Sequence, residues 1–171
     1  YAVVGNVATK NKLGRKISHD ASYAAILSLE KAIVQEDPKK TEHTKWSEAD
    51  EKSFSGLARV YVKGHPKGKY RLDIEFKLGL IAYEKERYDE AAKAFVQLGK
   101  LYPHTKKGLK SQDLYLDILN HKKDYQALKL YTKKLMAGKK MPIARRTKLK
   151  KIYEESYFLQ VQNLESKGNI K

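Results

Sequence analysis

The chain has 171 residues, with 36 Lys and Arg against 20 Asp and Glu, a net charge of +16, and no cysteine. Without cysteine there are no disulfides, thiol nucleophiles or thiolate metal sites, and no apolar run approaches the length of a membrane span. The charge favours acidic partners, and the dominance of lysine over arginine suits diffuse attraction better than planar, two-pronged recognition.

Residues 1–19 carry scattered glycine and lysine without a sustained period and read as an irregular lead-in. "YAVVGNVATK" is too short and too interrupted for a signal-peptide core, so an exported form would carry its targeting segment outside this sequence. The first convincing helix is 20–36, with Asp20 as N-cap and Tyr23, Ile26, Leu27, Leu29, Ala32, Ile33 and Val34 on a broad apolar face. Pro38 follows it. A second helix covers 46–64, where Ser47 and Asp50 make a capping box with aspartate in the usual glutamate position. "GHPKGKY" then breaks the chain.

From Arg71 the period is strongly helical, in segments 71–86, 88–103, 110–123 and 125–140. Pro142 opens a last long run that Gly168 is placed to cap. No convincing strand follows residue 20, so the expected fold class is all-α. The chain divides into a degenerate helical pair at 20–71, a clear pair at 72–105, a divergent second pair at 106–139, and a long helix in 140–171.

Residues 72–105 carry a specific pattern: Leu78-Gly79 in the first helix, then Tyr88, Ala91, Phe95 and Pro103. Two antiparallel helices approach closely only where side chains are small, as at Gly79 and Ala91. Tyr88 fills the turn, Phe95 plugs the groove toward the next unit, and Pro103 ends the helix because it has no amide hydrogen. This pattern resembles a tetratricopeptide repeat. Residues 106–139 resemble a divergent second copy, with Leu114, Tyr125, Ala127 and Tyr131 as the equivalents and a tyrosine-to-alanine step one residue short. The resemblance implies a tetratricopeptide-like α-solenoid of antiparallel helix pairs, with 140–171 as the first half of a further repeat in a longer array. The phrasing of 88–103 and its lysine-rich connector is similar to bacterial envelope repeat proteins, including lipoproteins of outer-membrane assembly and periplasmic coordinators. That similarity implies a scaffold in the bacterial periplasm or envelope.

Catalytic signals are sparse. None of the five histidines, His19, His43, His65, His104 and His121, pairs with another at the spacing of a helical metal site. "KGHPKGK" follows a helix and reads as a connector, not a phosphate loop. The acidic pairs Asp50-Glu51 and Glu154-Glu155 fall on expected solvent faces, without the desolvated cleft that acid–base chemistry needs. The expectation is a non-catalytic protein without metal or cofactor.

Two surfaces remain. The repeat register implies a partner-binding groove lined by Asp73, Phe76, Lys77, Leu80 and Tyr83, continued by Gln112, Leu116 and Leu119; the alternative is that a neighbouring helix buries them. An apolar groove suits an amphipathic helix or extended peptide, and Phe76→Ala with Tyr83→Ala is expected to lower affinity without loss of helix. The segment 133–151 holds nine basic residues and no acidic one: Lys133, Lys134, Lys139, Lys140, Arg145, Arg146, Lys148, Lys150 and Lys151. The expected function is a protein-interaction scaffold for an acidic or amphipathic partner. The alternative is a binder of nucleic acid or anionic lipid headgroups through 133–151.

Overall fold

The structure is a computed structural model that describes residues 12–41, 43–138 and 141–166. Among these residues it is all-helical, with seven α-helices and no strand. The helices are α1 (Lys12–Glu36), α2 (Glu48–Gly64), α3 (Arg71–Glu84), α4 (Tyr88–Leu101), α5 (Lys106–His121), α6 (Tyr125–Met136) and α7 (Ile143–Ser166). Two short 3-10 turns, Pro38–Thr41 and His43–Lys45, join α1 to α2. None of the described helices is long and apolar enough to cross a membrane. The chain forms two compact units, 1–111 and 112–171.

In the first unit the core joins Ile26 and Ile33 of α1 to Phe54, Ala58 and Tyr61 of α2 and to Ile74 and Ile81 of α3, with Trp46 at one end. The capping box of α2 is as expected: the Asp50 amide donates to Ser47 Oγ (3.1 Å), and the Ser47 amide donates to Asp50 Oδ2 (2.9 Å). The start of α1 is not. The helix begins at Lys12, eight residues before Asp20, so Asp20 is an interior residue and not a cap. Near this end His19 makes a long-range contact, with the Tyr61 hydroxyl 2.6 Å from its Nε2.

Helices α3 and α4 form a hairpin around Gly79. A Cβ on Gly79 would stand 2.8 Å from Phe95 Cε1, so the ring of Phe95 fills the space that the glycine leaves inside its own pair. The expectation that Phe95 plugs a groove toward the next unit is thereby corrected. Its ring also meets Phe76 and Tyr83, at centroid distances of 5.9 and 6.3 Å.

The turns that close α3 and α5 have the same backbone signature. Glu86 and Lys123 adopt positive φ, 59° and 55°. Their own amides reach back to Tyr83 and Asn120, and the next amides, of Arg87 and Asp124, reach Ala82 and Leu119 (2.8 and 3.0 Å). This is a Schellman closure in which glycine is the usual occupant of the left-handed position. Since Lys123 follows Glu86 by 37 residues, the two hairpins align at that offset, one more than the 36 that separates Leu114, Ala127 and Tyr131 from Leu78, Ala91 and Phe95. Tyr88 then matches Tyr125, but Ala91 matches Leu128 and Phe95 matches Thr132. The equivalence of Ala127 and Tyr131 with the small and second aromatic positions is corrected, and the short tyrosine-to-alanine step disappears. Gly79 matches Leu116, so one hairpin combines a small residue on its first helix with a large one on its second. The other reverses the two. All four of these residues are buried.

In the second unit Leu116 and Leu119 of α5, Leu128 of α6 and Leu149 of α7 form the core, with Tyr115, Tyr125, Tyr131, Leu135, Met136, Met141 and Ile152 against it. Tyr115 and Tyr131 meet edge to face at 4.7 Å. Burial and the neighbouring Tyr115 push the Tyr131 phenol up to about 12.

Candidate protein-interaction surface

The structure places most of the expected groove residues in packing roles. Phe76 is 9 % exposed, and Leu116 and Leu119 belong to the core of the second unit. Gln112 is buried and accepts from Arg145 Nη2 (2.9 Å). Lys77 is paired with Glu30 of α1, and Asp73 with Lys107 (2.5 Å). Tyr83 is half-buried against Tyr88 and Phe95, and Leu80 is half-buried. The groove expectation is corrected for the buried members, because helices of their own units cover them. The accompanying expectation for Phe76→Ala falls with it: that change removes core volume, so loss of binding would not separate recognition from stability. The expected line also divides between the two units, Asp73 to Tyr83 in the first and Gln112 to Leu119 in the second.

The basic segment separates into two kinds of residue. Arg145 is only 16 % exposed at its side chain and is spent on α5, with Nη2 3.0 Å from Asp113 Oδ1 and 2.9 Å from Gln112 Oε1. It is a strut, and is removed from the basic patch. Leu135, Met136, Met141 and Leu149 also face the core. Lys133, Lys134, Arg146, Lys148, Lys150 and Lys151 are exposed. Lys150 and Lys151 form i,i+4 pairs with Glu154 and Glu155 at 3.7 and 3.8 Å, which are worth little on a solvated face. Lys139 and Lys140 lie outside the described residues.

What the sequence reading missed is an apolar stripe on α7 beside these lysines. Tyr157 is 57 % exposed and Phe158 62 %, and Leu164 is exposed as well. Tyr157, Val161 and Leu164 recur at i, i+4 and i+7, so they share one face of the helix. Lys129 of α6 stands over the Tyr157 ring, 5.2 Å from its centroid, while its ammonium donates to Gln160 Oε1 (2.8 Å). Lys133, one turn along α6, and Lys150, two turns before Tyr157, extend the cationic rim. The signal was present in the sequence. "YFLQVQNL" distributes apolar residues around more of the helix than one core contact consumes.

Chemically, the surface offers an aromatic–aliphatic strip rimmed by Lys129 and Lys133, with Lys150 and its partner Glu154 on the α7 side. Among the described residues, no group of three or more His, Asp or Glu side chains is placed to hold a metal ion. The class that fold and surface define is an all-helical protein with an exposed cationic, aromatic face. Comparison with family models, curated proteins and solved structures returned no match for the chain.

Proposed function

We propose that the protein is a non-catalytic interaction scaffold, built from tetratricopeptide-like helix pairs, that docks an acidic amphipathic helix on the α6–α7 face. The observation that carries this reading is the exposure of Tyr157 and Phe158 beside Lys129, Lys133 and Lys150. Aromatic anchors in reach of cations are the residues that dominate protein interfaces. An acidic helix with one apolar face is complementary to both the strip and its rim.

The reading is tested with a labelled helical peptide, leucine on one face and glutamate on the other, and a scrambled isomer of identical composition. The amphipathic peptide is expected to bind at least about tenfold more tightly than its isomer. Tyr157→Ala with Phe158→Ala is expected to abolish the difference while leaving the helical circular-dichroism signal unchanged, since both side chains are solvent-facing. Equal binding of the two peptides, with RNA or DNA bound still more tightly and with a steep salt dependence, would replace this reading by that of an anionic-polymer binder.

A further inference from the structure

The first unit contains a compact cluster of rings and charges where α1, α2 and the loop before α3 meet. His19 of α1 lies at the centre. Its ring is stacked on Tyr70 at 5.3 Å, meets Tyr61 at 5.2 Å, and meets His65 edge-on at 4.8 Å. Tyr23 stacks on Tyr70 at 3.7 Å. Gly68 closes the cluster: a Cβ there would stand 2.6 Å from His19 Nε2 and 2.7 Å from the Tyr61 hydroxyl. The rings therefore have little room to rearrange.

The proton positions follow from this geometry. Tyr61 is buried, and burial pushes its phenol up to about 12, so its hydroxyl keeps its proton and donates to His19 Nε2. The acceptor nitrogen is then unprotonated, and the other ring nitrogen, Nδ1, faces Asp20 Oδ1 at 3.6 Å. That carboxylate already serves Lys69, 3.1 Å away, and Lys69 itself sits over the Tyr70 ring at 4.5 Å. From α3, Asp73 acts on Tyr23 but is itself paired with Lys107. Among the described side chains, the charges that these contacts place beside the two histidines are thus one carboxylate and one lysine. Protonating both rings would set three cations against Asp20, and would put a second donor into the His19–Tyr61 hydrogen bond.

We propose that the His19–His65 pair is an acid-sensitive latch that holds α1 on α2 and releases it when both rings become charged. His43, in the same unit, is in a different setting: it lies 2.9 Å from the Glu84 carboxylate. Burial, and secondarily His19, hold the His65 pKa below the ordinary histidine value. A base whose pKa is depressed in the folded state gives stability that is complete above its unfolded pKa and is lost as pH falls below it. The window therefore opens near the ordinary histidine pKa of 6.5 and extends downward. Release uncovers the α1 side of the core, Ile26 and Ile33.

The test is amide hydrogen exchange of the full chain at about pH 7.5 and about pH 5.5, expressed as protection factors so that intrinsic exchange cancels. Residues 18–33 are expected to lose protection by up to about tenfold, the ceiling for one histidine over that window, while α4 keeps its protection. His65→Gln is expected to flatten the pH dependence of α1. If that variant fails to fold, the His19 and His65 ring proton titrations of the native chain replace it. The α1 amide shifts must then follow those two titrations. Equal protection of α1 at both pH values, or an undiminished step in both His65→Gln and His19→Gln, would overturn the latch.

Discussion

Glu86 and Lys123 hold a backbone conformation that costs an L-residue with a Cβ about 1 kcal/mol or more, and that glycine adopts freely. Neither side chain is buried, so the conformation is imposed by the closures around it and not by anything the side chain contributes. Glu86→Gly and Lys123→Gly are each expected to stabilise their unit by about 0.5–1 kcal/mol, with the gain reduced by the extra freedom of glycine in the unfolded chain. Glu86→Ala is the control, because it removes the charge and keeps the Cβ; it should change stability by less than about 0.5 kcal/mol. Thermal or urea unfolding reads all three. A gain for alanine as large as that for glycine would trace the effect to charge rather than to backbone strain.

At the scale of elements, α2 is tied to the α3–α4 turn through Glu51. Arg87 donates to both of its carboxylate oxygens (3.2 and 2.5 Å), and Lys85 lies 3.6 Å away while donating to the Trp46 carbonyl at 2.8 Å. Burial alone would raise the Glu51 pKa, but Arg87 and then Lys85 more than offset it and hold the carboxyl below its usual value. The stabilisation is therefore fully present above the ordinary glutamate pKa and is lost as pH falls through the lowered folded value. Glu51→Gln is expected to cost about 1–3 kcal/mol near neutral pH, with the difference from the native chain vanishing in acid. A cost that is independent of pH would show that the carboxylate charge contributes nothing. None of this was readable locally, because Glu51 and Arg87 are 36 residues apart. The sequence does announce features made within one turn of helix: the Ser47–Asp50 box, the ends of α3 and α4, and the all-α class. It conceals features made across the fold. The contact of His19 with Tyr61 joins residues 42 apart. The offset of the second hairpin is set by a left-handed turn at a lysine, which has no glycine to mark it. The expected groove residues had the correct helices, but an amphipathic pattern gives the apolar face without saying which neighbour covers it.

At the scale of the whole molecule, the cations are sorted by kind. Of six arginines against thirty lysines, Arg71, Arg87 and Arg145 are engaged with Glu75, Glu51 and Asp113 at 2.5–3.0 Å, the planar pairing in which guanidinium exceeds ammonium. The net charge of +16 is consequently carried largely by lysines, many of them on exposed positions. Such a field acts at a distance, so it steers encounter, whereas Tyr157 and Phe158 act only on contact. The two contributions should separate in the kinetics of the amphipathic acidic peptide. Raising salt from about 0.05 M to about 0.5 M shortens the screening length several-fold, and kon is expected to fall by about tenfold with koff changed less than about threefold. Tyr157→Ala with Phe158→Ala is expected to do the reverse, raising koff while leaving kon nearly constant, because truncating two neutral rings leaves the field unchanged. If salt acted chiefly on koff, the lysines would be making short-range contacts in the bound state. The division of labour between field and aromatic strip would then be wrong, even where the peptide binds.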